Sequence, residues 1–242
     1  MNPKNISPDV SFAFQPIANI RTGSIESYEA LVRGKDGRTA ADVFANIAQA
    51  DKYRFDEFLR VSAISLASEL GIKCRLNLNL LPRSLSFSET AISSTIDAAH
   101  KAGIPASSIV IEITEKEIID NVDWFRTNIS KHLHKGIKFS IDDFGAGYSG
   151  LNLLADFQPE SIKVDMSLVR DIDSKGPRQA IVRGIVRTCR DLGIDIIAEG
   201  VESNAECKWF FDEGIELIQG YFLGKPGFEE LPIPLMPKYF FA

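Results

Sequence analysis

Two adjacent carboxylates, Asp142 and Asp143, end a short apolar run and precede a loop that contains Gly145, Gly147 and Gly150. Burying adjacent acids at the end of a strand costs free energy unless a positive group meets them. A metal ion is one such group, and the glycines would allow the loop to fold tightly over a ligand. The alternative is a solvated strand end that happens to be acidic.

Strand-like and helix-like segments alternate along most of the chain. A hairpin comes first, with strands at 11–20 and 24–34 whose short connection requires them to be antiparallel. Further strands are predicted at 74–80, 108–114, 137–142, 161–165, 194–199 and 216–221, and helices at 39–49, 53–70, 90–102, 122–135, 150–156, 177–192 and 204–213. This alternation predicts a parallel sheet wrapped by helices. Eight strands favour an α/β fold, a (β/α)8 TIM-like barrel with an antiparallel first strand, and an open doubly wound sheet is the alternative.

Length and composition favour one domain over residues 11–242, preceded by a flexible lead-in at residues 1–10. The chain has 242 residues, of which 45% are hydrophobic, and no low-complexity segment divides it. Three widely spaced cysteines without a CxxC pair indicate a reducing compartment.

Charge and hydropathy exclude several classes of partner. No run of about 18 apolar residues and no leader segment is present, which predicts a cytoplasmic protein without a membrane span. A net charge of −6 without a run of Lys or Arg argues against a nucleic-acid polymer. A small phosphorylated ligand fits if local cations overcome the acidic background.

Polar side chains recur near the carboxyl ends of seven predicted strands, on the face opposite an apolar set. These residues are Glu29 and Arg33, Asn77 and Asn79, Glu112, Asp142, Lys163, Glu199 and Gln219. In a barrel, such positions converge at the mouth, where active sites lie. Seven strands with this pattern, four of them carrying acids, favour a shared site over solvated strand ends.

The inward residues offer oxygen ligands only. The candidate metal ligands are Glu29, Asn79, Glu112, Asp142, Asp143 and Glu199. This set suits Mg²⁺ or Mn²⁺, with Ca²⁺ possible, rather than Zn²⁺. Because one divalent ion would not neutralise five carboxylates, two ions are expected. Two ions about 3.5–4 Å apart can bridge a phosphoryl oxygen and lower the pKa of a shared water.

Two cations accompany these acids. Lys163 is predicted on the same inward face and could orient the water, and Arg33 could bind a phosphate oxygen. The alternative is that both residues form salt bridges with the surrounding acids. An inward lysine needs a reason to stay charged, which favours a functional role for Lys163.

Eight short motifs occur in order along the chain. They are QPI at 15–17, EALVR at 29–33, NLLP at 79–82, IEITE at 111–115, DDFGAGYSGL at 142–151, IKVD at 162–165, AEGVE at 198–202 and QGYFLGKP at 219–226. In these motifs the chain resembles the EAL-domain family of bacterial cyclic di-GMP phosphodiesterases over about residues 12–226. The resemblance implies a (β/α)8-like barrel and hydrolysis of one phosphodiester bond of cyclic di-GMP to linear pGpG with Mg²⁺ or Mn²⁺. It also suggests a homodimer, and Ca²⁺ that supports binding without turnover.

The resemblance implies roles for individual residues. The six candidate ligands above would hold the metals, with Glu29 also in the catalytic set, and Lys163 would orient the water. Glu202 would lie near the metals, and Glu115 would anchor the loop that follows Asp143. Substrate contacts are expected from Gln15, Leu31, Arg33 and Gln219. The chain departs from the family pattern at Leu81 and Gly150, where serine is common; neither change removes a metal ligand.

Three functional hypotheses follow. The first is an active cyclic di-GMP phosphodiesterase, and the complete ligand set favours it. The second is a non-catalytic cyclic di-GMP receptor or scaffold that signals to a sensor or other partner. The third is a barrel glycosidase that uses two carboxylates, although Lys163, Arg33 and the excess of acids fit phosphate better than sugar.

Overall fold

A computed structural model describes residues 9–88, 90–114, 122–147 and 150–237. Within these ranges the strands are β1 (Val10–Asn19), β2 (Ser24–Gly34), β3 (Arg75–Leu80), β4 (Ile109–Thr114), β5 (Lys138–Phe144), β6 (Ser161–Val164), β7 (Asp195–Ala198), β8 (Leu217–Gln219) and β9 (Gly227–Phe228). The helices are α1 (Ala40–Ala45), α2 (Lys52–Glu69), α3 (Ser84–Phe87), α4 (Ser93–Lys101), α5 (Val122–Leu133), α6 (Gly150–Asp156), α7 (Met166–Val169), α8 (Gly176–Leu192) and α9 (Asn204–Asp212).

The first eight strands form a closed barrel. Strands β2 to β8 pair in sequence order and run parallel, and β1 lies between β8 and β2, antiparallel to both. The short β9 adds to β1 beside the ring. The predicted (β/α)8 TIM-like barrel with an antiparallel first strand is therefore confirmed, and the open doubly wound alternative is wrong.

The outer face of the barrel forms the core together with the helices. In β3, Leu76, Leu78 and Leu80 are buried and belong to the same apolar cluster as Phe55 and Leu59 of α2. Because side chains alternate along a strand, the residues between these leucines must face the barrel interior. The hydrophobic pattern of each strand thus fixes which polar residues reach the site.

Several helix boundaries differ from the prediction. Helix α1 ends four residues early, where the Asn46 side chain donates a hydrogen bond to the Asp42 carbonyl oxygen and so competes with a further helical turn. Helix α4 begins at Ser93 rather than at residue 90. The four-residue helices α3 and α7 and the two-residue β9 were not predicted, because such short elements carry no recognisable periodicity.

Strand β5 contains an irregularity that the sequence pattern does not show. Its pairing with β6 advances from Ile141 opposite Ile162 to Phe144 opposite Val164, so three steps on β5 match two on β6. Within this bulge Asp143 adopts the left-handed conformation, with φ of 56°. The strand therefore continues past Asp142, where it was predicted to end.

Some predictions about chain organisation remain open. Residues 1–8 of the predicted lead-in lie outside the described ranges, and the single domain over 11–242 stays a prediction. Across the described ranges, no helix is both long enough and apolar enough to span a bilayer. Cys74, Cys189 and Cys207 are free thiols.

Candidate metal centre

A single buried ammonium group occupies the middle of the candidate site. Lys163, on β6, is 0% exposed, and its Nζ lies 3.0 Å from Glu29 Oε2 and 3.0 Å from Asp142 Oδ1. Two more carboxylates approach the same atom, Glu112 Oε2 at 3.4 Å and Glu199 Oε2 at 3.6 Å. These acids come from β2, from β4 and β5, and from the residue that follows β7. The structure therefore brings together the four acids that sequence parity placed inward.

Amide side chains hold two of these acids in place. Glu29 accepts hydrogen bonds from Asn79 Nδ2 at 3.1 Å and from Gln219 Nε2 at 2.7 Å. Asn77 Nδ2 donates to Glu112 Oε1 at 2.7 Å. Parity along β3 put Asn77 on the inward face, but no role was predicted for it. Its contact shows that it orients one of the candidate metal ligands.

The charges in this cluster shift one another's protonation. Burial disfavours the charged form of Lys163, but the carboxylates of Asp142, Glu112, Glu199 and Glu29 outweigh it, so that the net effect raises the pKa of Lys163 well above its ordinary value. Burial, which the nearby Lys163 only partly offsets, raises the pKa of Glu112 well above the usual range of a carboxyl group. Burial likewise raises the pKa of Glu199 to about 8. Without further cations, the site therefore holds more acid than Lys163 can balance.

The donor set fits divalent cations. Glu29, Glu112 and Asp142 each place a carboxylate oxygen within 4.8 Å of the others, and Asp142, Asp143 and Glu199 form a second such group. Asp142 belongs to both groups, and the bulge at Asp143 allows adjacent residues of β5 to contribute to one site. Asp142 Oδ1 and Glu199 Oε2 are buried beside Lys163 Nζ, at 3.0 and 3.6 Å, and both atoms face the centre of the cluster. Carboxylate oxygens are the hard ligands that Mg²⁺ and Mn²⁺ prefer.

The predicted substrate contacts fall into two regions. Gln15 accepts a hydrogen bond from Gln219 Nε2 at 3.3 Å, and its own Nε2 donates to the Gly224 carbonyl oxygen at 3.2 Å. Gln15 and Gln219 thus connect to Glu29. Leu31 lines a cavity of about 360 Å³ that also reaches Glu29, Asn79 and Asp142.

Arg33 lies farther along β2, in a separate cavity of about 460 Å³ that Lys35, Tyr221 and Lys225 also line. Its Nη1 donates to the Val32 carbonyl oxygen at 2.8 Å. Four residues along a strand span about 13 Å, so Arg33 does not contact the cluster that contains Glu29. The local excess of positive charge in this cavity contrasts with the net charge of −6 for the chain.

One predicted catalytic acid lies outside this cluster, and another falls outside the described residues. The Glu202 carboxylate forms an ion pair with Arg170 on the protein surface, and this hydrogen-bonded contact lowers its pKa. Glu115 lies outside the described residues. Their proposed roles stay predictions.

The comparisons with known proteins agree with this geometry. The EAL domain family model matches residues 5–226. The chain belongs to the EAL-domain family. A standalone EAL protein from Vibrio cholerae O395, solved in its c-di-GMP-bound form, superimposes on this EAL domain with a TM-score of 0.89 and 44% identity, over 94% of this chain and 96% of that one. Klebsiella pneumoniae BlrP1, solved as a manganese/cy-diGMP complex, gives a TM-score of 0.89 and 42% identity over 95% of this chain and 59% of that one.

Relatives of this EAL domain have different named functions. The blue light- and temperature-regulated antirepressor BluF of Escherichia coli K12 is 32% identical over 96% of this chain, which spans 59% of BluF. Cyclic di-GMP phosphodiesterase NbdA of Pseudomonas aeruginosa is 27% identical over 93% of this chain, which spans 29% of NbdA. The chain is thus similar to one part of each of these longer proteins. Its family includes members that bind or hydrolyse cyclic di-GMP, and family membership alone does not distinguish an enzyme from a regulator.

Proposed function

We propose that this EAL domain is a metal-dependent phosphodiesterase that hydrolyses cyclic di-GMP to linear pGpG. The observation that carries the proposal is the convergence on Lys163 Nζ of four acids, three from separate strands and one from the end of β7, at distances of 3.0 to 3.6 Å. Such a cluster is costly to bury and is difficult to explain without a function.

Two groups of ligands would hold two Mg²⁺ or Mn²⁺ ions. Glu29, Glu112 and Asp142 would form one group, Asp142, Asp143 and Glu199 the other, and Asn79 would add an amide oxygen. When bound, such ions lower the pKa of water and stabilise negative charge on phosphoryl oxygens. The manganese and calcium complexes that were solved for BlrP1 with cy-diGMP support the use of divalent ions by this EAL domain.

Lys163 would orient the attacking water rather than remove its proton. Because the surrounding carboxylates raise its pKa despite its burial, Lys163 stays an ammonium group at neutral pH and can only donate hydrogen bonds. Gln219 and Asn79 would hold the Glu29 carboxylate in a fixed orientation through their hydrogen bonds to it.

Arg33 would bind the phosphate that is not cleaved. The guanidinium group can donate two parallel hydrogen bonds to phosphate oxygens, and it lies in a cavity with other cations at a distance from the acids. Leu31 lies between Glu29 and Arg33 on β2, and Leu31, Gln15 and Gln219 would contact the rest of the nucleotide.

A cyclic di-GMP receptor without catalytic activity is the second candidate, and the similarity to the antirepressor BluF supports it. The complete set of acids around Lys163 favours the enzyme, because a receptor does not need to retain them. Family membership also argues against the glycosidase alternative. A homodimer, a sensor partner and a cytoplasmic location stay predictions.

A single assay tests the proposal. Purified protein is incubated with cyclic di-GMP and Mn²⁺, Mg²⁺, Ca²⁺ or a chelator, and pGpG is measured by chromatography while nucleotide binding is measured by calorimetry. We expect pGpG with Mn²⁺ or Mg²⁺, none with the chelator, and binding without turnover with Ca²⁺. Nucleotide binding without turnover under every ion would instead support the receptor.

A further inference from the structure

The buried side chain of Arg60 on α2 has no part in the functions described above. It is 2% exposed, and its charge is met by the Asp56 carboxylate one helical turn earlier. Arg60 Nε also donates to Thr95 Oγ1 at 3.1 Å, and Nη2 donates to the Ala91 carbonyl oxygen at 3.0 Å. Each of these contacts compensates for the cost of burying a guanidinium group.

The same ion pair holds the carboxyl end of β3. Arg60 Nη1 donates to the Asn79 carbonyl oxygen at 3.4 Å, and Asp56 Oδ1 accepts from the Leu81 backbone N–H at 3.3 Å. On the β2 side, the registered pairing of β3 ends at Leu78. Backbone groups beyond that point need other partners. The ion pair supplies them on both sides of Leu80, where the chain leaves the sheet.

The side chain of Asn79 extends from this held segment into the metal centre. Its Nδ2 lies 3.1 Å from Glu29 Oε1, and the side chain is otherwise open to the mouth of the barrel. The direction in which its amide points therefore depends on the backbone at Asn79. That backbone is fixed from behind by Arg60.

We infer that Asp56 and Arg60 are positioning residues for Asn79, and that the metal affinity of the centre depends on them although neither belongs to the proposed ligand set. The inference rests on the proposed function, since it needs Asn79 to take part in metal binding. The alternative is that the pair only stabilises the fold. A buried ion pair is often no more stabilising than apolar residues of similar volume, so stability alone does not account for it.

Calorimetry with Mn²⁺ in the absence of nucleotide tests this inference without relying on activity. We expect Arg60→Met to weaken Mn²⁺ binding about 10-fold or more, as is typical when a residue that orients a metal ligand is removed. Arg54→Met is the matched control, because it makes the same change at an exposed position of α2, and its Mn²⁺ affinity should equal that of the wild type.

A double-mutant cycle separates positioning from a purely structural role. If Arg60 acts through Asn79, Arg60→Met should cause little further loss of Mn²⁺ affinity in an Asn79→Ala background, while the decrease in Tm should be the same in both backgrounds. Arg60→Lys keeps the buried positive charge and is therefore a second variant to use if Arg60→Met does not fold. Its loss of Mn²⁺ affinity should be smaller than that of Arg60→Met.

Two results would overturn the inference alone. One is wild-type Mn²⁺ affinity in both Arg60 variants together with a lowered Tm, and the other is an equal loss of affinity in the wild-type and Asn79→Ala backgrounds. Wild-type protein that binds no Mn²⁺ would overturn the proposed function and this inference together.

Discussion

Lys163 Nζ lies 3.0 Å from Glu29 Oε2, although 134 positions separate the two residues in the chain. Lys163 is on β6 and Glu29 is on β2, four strands away around a ring of eight. The contact therefore crosses the interior of the barrel and joins opposite walls. It places a positive charge among the acids at the mouth of the barrel. The four surrounding carboxylates therefore share Lys163 as their cationic partner.

Replacing Lys163 should reveal this dependence. In buffer that contains a chelator at pH 8, we expect Lys163→Met to lower the free energy of unfolding by about 3–5 kcal/mol, because buried carboxylates lose their cationic partner. Millimolar Mn²⁺ should restore most of this stability but not turnover, which should stay at least about 100-fold below wild type. Denaturant unfolding and nucleotide assays measure the two effects.

Lys208→Met provides the matched control, because Lys208 forms an exposed ion pair with Asp212 on α9. Lys208→Met should change the free energy of unfolding by no more than about 1 kcal/mol, with and without Mn²⁺. Equal losses in the two variants would contradict the central role of Lys163.

The raised pKa of Glu199 predicts a pH dependence of metal binding. Without metal, this carboxyl group is protonated below a pKa of about 8 and ionised above it. Because a ligand must be deprotonated to bind metal, Mn²⁺ affinity should rise as the pH rises through about 8. Calorimetry between pH 6 and 9 measures this affinity. In Glu199→Gln, about one proton fewer should be released when Mn²⁺ binds, so the affinity should depend less steeply on pH.

The same shift predicts a change in stability. A carboxyl group whose pKa is raised by folding favours the folded state at low pH. The metal-free protein should therefore lose stability as pH rises from the ordinary value of 4.5 to about 8. Glu199→Gln should flatten this decline, and a decline of unchanged steepness would contradict the assignment.

The left-handed conformation of Asp143 allows its two roles to be separated. Asparagine tolerates this conformation, so Asp143→Asn should fold normally while it loses one carboxylate of the second ligand group. We expect calorimetry to show one bound Mn²⁺ instead of two, and turnover to fall about 100-fold or more. Asp143→Ala should lose a further 1–2 kcal/mol of stability, as an approximate cost of backbone strain.

Asp171 offers the control for Asp143, because it is exposed and has a similar φ of 55°. Asp171→Ala should show a comparable loss of stability with two Mn²⁺ still bound. Two bound ions in Asp143→Asn would show that Asp143 is not a ligand.

Arg33 should affect the substrate and not the metal. We expect Arg33→Met to raise the KM for cyclic di-GMP about 10- to 100-fold, the range for losing a charged hydrogen-bonding partner of phosphate. Mn²⁺ affinity should be unchanged, since Arg33 lies in a separate cavity. Arg38→Met, at an ion pair with Asp36, is the control and should leave KM unchanged. An unchanged KM in Arg33→Met would show that Arg33 does not bind the phosphate.

The sequence predicts the barrel and most of the site because both depend on the alternation of apolar and polar side chains along each strand. Each strand has one apolar face, so its inward residues could be assigned by parity, and Glu29, Glu112, Asp142, Lys163 and Glu199 converge as that parity predicts. This odd–even alternation of side chains does not predict the bulge in β5. Regular alternation would turn Asp143 away from Asp142, and only the change in register with β6 explains the group they form together.

The Asp56–Arg60 pair was missed for a different reason. Opposite charges four residues apart on a helix usually indicate an exposed ion pair. Whether such a pair is buried depends on what packs against the helix, here the end of β3 and the first turn of α4. These contacts are formed between distant segments, so a local pattern does not contain them.

The position of β1 has a consequence for folding. Because β1 lies between β2 and β8, the ring cannot close until residues 217–219 have been synthesised and have paired with residues 17–19. Gln219, which donates to Glu29, lies at this last junction. A nascent chain that stops short of it leaves β1 and β7 with open edges on which another chain could add, and lacks one of the donors that hold Glu29. Completion of the ring and formation of the acid cluster around Lys163 should thus be a single cooperative event.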